Sequence, residues 1–143
     1  MEPKAFLELA QQLSKNADSE ASLRSCVSRS YYALYNFMAR FIDENIEKLS
    51  RSAKDHEKVY YYFSNCGIDN VEKIASDLND LREDRNDSDY KLHLDKFKNQ
   101  VIVSLLYKKA NLAFNSFESI IGNSKKRKRI AKGIQRYKEK TNS

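Results

Sequence analysis

The chain has 143 residues, three glycines, one proline and a net charge of +6. This length suits one domain with one hydrophobic core, and the scarcity of turn-forming residues favours helices over hairpins. No apolar run approaches the roughly 18 residues of a transmembrane helix, so we expect a soluble protein that does not enter a membrane.

Cysteine and histidine are too few for a metal site. The two cysteines, Cys26 and Cys66, have no ligand-like spacing, and the chain has only two histidines. No Gly-rich phosphate loop, nucleophile–base pair or paired carboxylates are visible, which leaves kinase, hydrolase and glycosidase functions without support. No signal peptide is visible either. We therefore expect no metal, no cofactor and a reducing, cytoplasmic location.

Apolar periodicity predicts an all-α chain of about five helices followed by a basic C-terminal helix or tail. The first two helices are predicted over about residues 4–15 and 20–45, and the second has an apolar stripe along its whole length. A third is predicted near residues 55–65 and a fourth from Asp69 onward. Gly67 between them suits a left-handed turn.

A polar turn at residues 86–89 is predicted to end the fourth helix, and a long fifth helix follows over about residues 94–121. The two longest helices are expected to lie antiparallel in a compact antiparallel bundle over residues 1–123, with a tail at 124–143. The apolar face predicted for the fifth helix contains Ile102, Leu106, Ala110, Ala113, Phe117 and Ile120.

Basic charge is concentrated in the tail. Residues 125–140 hold nine Lys or Arg against Glu139 alone, whereas the rest of the chain holds 17 basic and 19 acidic residues. The positive charges of such a run can bind the phosphate backbone of a nucleic acid. The alternative explanation is a solvated helix or frayed tail that only aids solubility. The candidate RNA-binding residues here are Lys125, Lys126, Arg127, Lys128 and Arg129.

Two arginines stand where the apolar stripe of the fourth helix should continue. Arg82 and Arg85 follow its last aliphatic positions. A guanidinium is costly to bury unpaired, so each must reach a carboxylate, a phosphate or solvent at a cleft mouth. A functional site is one explanation, and internal salt bridges are the other. The possible partners for such bridges are Asp84, Asp87 and Asp89.

Aromatic residues crowd two of the predicted helices. Tyr31 and Tyr35 have helical spacing and are expected in the core. Tyrosines 60–62 span about 200° of a helix, so at least one should be exposed or lie in a subunit interface. His56 is on the apolar side of its helix and is expected to be a hydrogen-bonded packing residue rather than a ligand.

Three segments in chain order resemble one protein family. Residues 28–41 read SRSYYALYNFMARF, residues 55–63 read DHEKVYYYF, and residues 81–90 read LREDRNDSDY. With a long closing helix after them, they resemble HEPN domains, an all-helical family of prokaryotic toxin, antitoxin-associated and defence proteins. The last segment is similar to the LRxxRNxADY signature of one branch. The resemblance covers roughly residues 4–121.

The resemblance implies a catalytic motif. Catalytic HEPN members are metal-independent endoribonucleases with an Arg, usually a polar residue after it, and a His separated from the Arg by four to six residues. Arg85 and Asn86 match the first two positions. Tyr90 occupies the histidine position, and His93 falls outside the pattern because seven residues separate it from Arg85.

The replacement of His by Tyr changes the available chemistry. An imidazole with a pKa near ~6.5 can act as acid or base at neutral pH, whereas a phenol near ~10 is almost entirely protonated. Tyr90 can therefore donate a proton or orient a phosphate, but it is a weak base. The candidate catalytic residues are Arg85, Asn86, Tyr90 and His93, and Arg82 is a further RNA contact.

The resemblance also implies partners. Two HEPN copies usually form one composite site, which implies a homodimer. Members often work beside a nucleotidyltransferase antitoxin, which in some pairs modifies a tyrosine near the motif, and Tyr90 is the candidate acceptor here. The expected function is a toxin–antitoxin or phage-defence component that engages RNA. The alternative is an inactive HEPN module that binds a nucleotidyltransferase or nucleic acid.

Overall fold

The chain folds as a compact bundle of α-helices, which confirms the predicted class. The computed structural model describes residues 1–142, and no β-strand occurs among them. A 3₁₀ turn at Lys96–Lys98 precedes the fifth helix. The six helices are α1 (Pro3–Lys15), α2 (Glu20–Asn45), α3 (Lys54–Ser64), α4 (Asp69–Tyr90), α5 (Gln100–Ile121) and α6 (Ser124–Thr141).

The second helix is the centre of the core. Ser19 caps its N-terminus by accepting a hydrogen bond from the Ser22 backbone N–H at 3.1 Å, the usual role of a serine at this position. α2 packs against α1, α3, α4 and α5. The predicted apolar stripe of α2 is buried along its whole length: Leu23, Val27, Tyr31, Leu34, Met38, Phe41 and Ile42.

Helices α2 and α5 run parallel to each other, contrary to the expectation for the two long helices. The Phe37 ring stacks on Phe114 at 4.5 Å, and Phe41, one turn further along α2, meets Phe117 at 6.0 Å. α4 runs antiparallel to α2, and the turn at residues 91–99 reverses the chain again, so α5 runs parallel to α2. The antiparallel neighbours of α2 in this bundle are α1 and α4.

The fourth helix continues through residues 86–89 to Tyr90, so the polar turn predicted there is wrong. Arg24 of α2 accounts for the extension. Its Nη1 donates to the Ser88 carbonyl at 2.7 Å, and its Nη2 donates to the Leu94 carbonyl at 2.9 Å. One guanidinium thus satisfies carbonyls that the helix end and the following turn leave without partners.

The fifth helix is shorter and rotated relative to the prediction. It begins at Gln100, where Asn99 accepts a hydrogen bond from the Val101 N–H at 2.9 Å. Ile102 is 36% exposed, and Leu106 is only half-buried. Apolar residues occur on several sides of this helix, so periodicity alone did not fix its buried face. The residues that are buried are Val103, Tyr107, Ala110, Ala113, Phe114 and Phe117.

The basic tail forms a helix that packs on the bundle. Ile130 and Ile134 of α6 are fully buried. A Cβ atom on Gly133 would lie 1.9 Å from the Cys66 carbonyl oxygen, so only glycine permits this close approach. Glu47 also helps to hold α6, because its carboxylate pairs with Lys138 at 3.4 Å.

Candidate functional site

Arg85 lies in the interior between α4 and α2. Its guanidinium carbon is 5.4 Å from the Tyr31 ring centre and 5.1 Å from that of Tyr32, within cation–π distance. The residue is only 8% exposed. Asp89 on the next turn of α4 pairs with Nη1 at 3.7 Å, while the buried Nε has no hydrogen-bond partner.

Arg82 lies one turn before Arg85 and is not neutralised by a carboxylate. It forms no ion pair among residues 1–142, and its buried Nε also has no hydrogen-bond partner. Asp84 and Asp87, two possible partners, pair instead with Lys96 at 3.3 and 3.4 Å. Of the predicted internal salt bridges to these two arginines, the described structure forms only the one from Arg85 to Asp89.

His56 joins this cluster from the start of α3. The Tyr31 hydroxyl and His56 Nδ1 share a hydrogen bond, and the imidazole stacks on the Tyr35 ring with 4.1 Å between centres. The expected hydrogen-bonded packing role is present. The charges of both arginines also act on this ring, and Tyr31 contacts both His56 and Arg85, so His56 belongs to the candidate site. Its place in the segment of residues 55–63, which resembles HEPN domains, is the signal that could have identified it.

The surroundings keep His56 neutral at physiological pH. Burial, reinforced by the nearby charges of Arg82 and Arg85, lowers the pKa of His56 to about 4. Burial likewise raises the pKa of Tyr31, and it raises that of Tyr35 to about 12. The pair formed by Tyr31 and His56 is therefore an uncharged phenol beside an uncharged imidazole.

The tautomer of His56 determines what its outer nitrogen can do. If Tyr31 donates to Nδ1, the proton of the neutral ring is on Nε2, which is then a donor. If Nδ1 donates to the Tyr31 oxygen, Nε2 is free to accept a proton. With Arg82 and Arg85 beside it, the cluster combines a proton donor or acceptor with two cations, the set that phosphoryl chemistry without a metal requires.

Tyr90 is not part of this cluster. It is the last residue of α4 and is 75% exposed. Five residues of α-helix correspond to a rotation of about 140°, so Tyr90 projects from a different face than Arg85, whereas Asp89 is on nearly the same face. Asn86, directly after Arg85, is half-buried.

His93 lies in the exposed turn after α4. A helix extended to this position would have aligned it with Arg85 and Asp89, but α4 ends before it. The structure thus brings together Arg82, Arg85 and His56, and it leaves Tyr90 and His93 at the surface.

The basic run forms the first turns of α6. Arg127 is half-buried and donates to the Ile121 carbonyl at 3.0 Å, which ties it to the end of α5. The other four members of the run are exposed and form no ion pair among residues 1–142: Lys125, Lys126, Lys128 and Arg129.

Other classes of site have little support within residues 1–142. No group of three or more His, Cys, Asp or Glu side chains is arranged to hold a metal ion. None of the described helices has the length and apolarity needed to cross a membrane. Comparisons with protein-family models, with curated proteins and with solved structures gave no match to this chain.

Proposed function

We propose that this chain is a HEPN-type component of a toxin–antitoxin or phage-defence module that binds RNA and cleaves it without a metal. The observation that carries the proposal is the cluster of Arg82 and Arg85 with unpartnered Nε atoms beside the hydrogen-bonded His56. The resemblance of three segments to HEPN domains supports it further.

The proposed reaction is transesterification within RNA. The 2′-oxygen attacks the adjacent phosphorus and loses its proton to a base, the bond from phosphorus to the 5′-oxygen breaks, and that oxygen takes up a proton. The products are a 2′,3′-cyclic phosphate and a 5′-hydroxyl. In the tautomer whose Nδ1 donates to the Tyr31 oxygen, His56 Nε2 takes the proton of the 2′-hydroxyl and then gives it to the leaving 5′-oxygen. Arg82 and Arg85 stabilise the pentacovalent phosphate.

The partners belong to the same proposal. A homodimer is proposed, and Tyr61, which is 49% exposed, is a candidate for its interface. A nucleotidyltransferase antitoxin is the proposed second partner. Tyr90 remains the candidate acceptor for modification because its side chain is accessible. A nucleotidyl group joined to this phenol through a phosphodiester, with pyrophosphate released, would add negative charge near the end of α4.

The test is an RNA cleavage assay in EDTA with the product ends analysed. We expect the wild-type protein to generate 2′,3′-cyclic phosphate ends. His56→Asn should lower the rate by about 10²-fold or more, and Arg82→Gln by a similar factor. Arg29→Gln is the matched control, because Arg29 is an exposed arginine on α2 whose guanidinium lies only over Phe6. A melting curve for each variant separates lost chemistry from lost folding.

Two further variants test the sequence-based site. If Tyr90→Phe and His93→Gln abolish cleavage while His56→Asn does not, the catalytic residues are those of the surface and not of the cluster. If all variants retain full activity, the nuclease mechanism proposed here is wrong.

A non-catalytic binding module is the second candidate function. The burial of Arg85 between Tyr31, Tyr32 and Asp89 favours it, because a guanidinium so enclosed can serve to hold the fold or a ligand. This function predicts no cleavage by the wild-type protein. It also predicts that Arg85→Ala melts well below wild type and that RNA or partner binding depends on surface residues.

A further inference from the structure

A cavity of about 650 Å³ opens beside His56. Its walls come from the N-terminal residues Met1 and Pro3, the middle of α2, the segment of residues 49–53 and the start of α3. Tyr35 and His56 both line it. The size is within the range of about 300–1,000 Å³ that small-molecule sites occupy in proteins.

The segment over the cavity is held in a fixed shape. Asp55 accepts hydrogen bonds from the Ser50 N–H at 3.2 Å, the Ser50 hydroxyl at 2.7 Å and the Arg51 N–H at 2.7 Å. Arg51 has φ of +63°, a conformation that residues other than glycine rarely adopt. Because the surrounding hydrogen bonds maintain this strained residue, the cavity wall is built rather than loose.

The charged side chains around the cavity are already paired or hydrogen-bonded. Arg51 pairs with Asp43 at 3.0 Å, and Arg40 pairs with Glu2 at 2.8 Å. Asp55 is occupied by the segment that it holds. A ligand carrying its own charge would compete with these pairs, so the cavity favours a neutral molecule.

Polar groups without partners remain on its wall. The Asn36 side chain lines the cavity and forms no hydrogen bond within residues 1–142. The Tyr35 hydroxyl likewise forms none, although Tyr35 is only 9% exposed. The ring of Tyr35 is buried, whereas its hydroxyl is accessible from the cavity. Both groups combine donor and acceptor capacity, and an asparagine amide matches the hydrogen-bonding edge of a nucleobase.

We propose that this cavity is a nucleoside pocket, which takes one unpaired base with its ribose from an RNA strand. The part of this proposal that concerns an RNA strand rests on the proposed function. Asn36 and the Tyr35 hydroxyl bind polar atoms of the base, and the imidazole separates the nucleoside from the phosphate, which lies with Arg82 and Arg85. A neutral ligand leaves the ion pairs around the cavity intact. A flat ligand with a polar edge can form hydrogen bonds with the Asn36 amide.

The test uses phosphate-free probes. Adenosine, guanosine, cytidine and uridine are titrated separately into ¹⁵N-labelled full-length protein, and amide shifts are followed by NMR. We expect at least one nucleoside to shift the signals of residues 50–53. Asn36→Ala should weaken its binding by about tenfold, and Tyr35→Phe, which keeps the ring, by about threefold. Asn70→Ala, on the exposed surface of α4, should bind as wild type does.

A second arm uses RNA. A short single-stranded oligonucleotide is compared with the same oligonucleotide lacking one base. Weaker binding of the abasic strand to wild type, with no difference for Asn36→Ala, supports a pocket for a strand-borne base. Equal binding of both strands to wild type overturns that part and assigns the pocket to free nucleosides.

The proposal is overturned if no nucleoside binds up to its solubility limit, or if Asn36→Ala and Tyr35→Phe both bind as wild type does. Asn36 lies on a half-exposed helix position, where alanine does not threaten folding. Nucleosides carry no phosphate, so their binding does not depend on Arg82 or Arg85. Nucleoside binding without RNA cleavage would therefore refute the nuclease while leaving the pocket in place.

Discussion

His56 is the residue on which the chemistry of the candidate site depends most. Its ring is partly removed from water, it lies beside two arginines, and it shares a hydrogen bond with Tyr31. The first two effects oppose a charged imidazolium, and both act in the folded state alone. The protonation of this side chain is therefore linked to folding.

The stability of the protein should fall in mildly acidic solution because of His56. The pKa of His56 falls from 6.5 to about 4 on folding, so between these values the unfolded chain binds more protons. The stabilising contribution is complete above about pH 6.5 and is lost as the pH falls towards 4. Since solvent screens a half-buried ring, we expect a loss on the order of 1–2 kcal/mol. Urea unfolding across this range measures it.

Carboxylates titrate in the same range, so the comparison must be between variants. His56→Gln should be less stable near neutral pH and should lose part of the dependence on pH. His93→Gln, at the exposed histidine, provides the matched control and should follow wild type. Parallel pH curves for wild type and His56→Gln would show that His56 is not protonated during acid unfolding and that its environment is misjudged.

The end of helix α4 depends on a side chain from another element. The helix end and the turn from residue 91 to 95 place several carbonyl groups close together, and backbone N–H groups satisfy only two of those that Arg24 reaches. Arg24 donates to five carbonyls, with distances from 2.7 to 3.5 Å, and also lies over the Phe97 ring at 5.1 Å. The helix and the turn after it are thus anchored to α2 by one guanidinium.

Replacing Arg24 should destabilise the whole bundle. Arg24→Ala leaves buried carbonyls without donors, and we expect the free energy of unfolding to fall by about 3 kcal/mol. Arg29→Ala, on an exposed position of α2, should cost less than about 0.5 kcal/mol. Urea unfolding of both variants measures the difference. If Arg24→Ala is as stable as Arg29→Ala, water replaces the guanidinium at little cost and the anchor is unimportant.

Helices α2 and α4 show where sequence reasoning succeeds and where it fails. The start of α2 and its buried stripe follow from the N-terminal capping residue and from the helical period of the apolar residues, which are local features. The continuation of α4 through Asn86 and Asp89 depends on Arg24, more than 60 residues earlier in the chain, as the separation in the Arg24–Ser88 hydrogen bond shows. Local turn chemistry favoured a break there, and a long-range contact overrode it.

At the scale of the whole molecule, the candidate site could be predicted only in part. Arg82 and Arg85 were identified because charge interrupts an apolar stripe on one helix. The sequence predicts only a packing role for His56, because the effect of the arginines on it depends on how α2, α3 and α4 pack together. The resemblance to the family motif names Tyr90 and His93 by their separation from Arg85 along the chain, and such a separation does not give direction around a helix.

Across the whole molecule, basic charge is concentrated in α6, whereas the rest of the chain holds similar numbers of basic and acidic residues. The basic run is part of a helix whose isoleucines are buried in the core, so deleting residues 124–143 would damage the fold as well as the charge. Neutralising the exposed positions avoids that problem. The variant combines Lys125→Gln, Lys126→Gln, Lys128→Gln and Arg129→Gln.

We expect this variant to fold normally and to bind single-stranded RNA less tightly, with a weaker dependence on salt. Each phosphate contact contributes roughly 0.7 to the slope of log K against log salt, so losing four should reduce the slope by about 3. Fluorescence anisotropy at several KCl concentrations measures it. A matched control neutralises four exposed lysines elsewhere, Lys4, Lys15, Lys48 and Lys54. If both variants lose the same slope, RNA responds to net charge alone; if neither does, α6 has no part in RNA binding and serves the bundle.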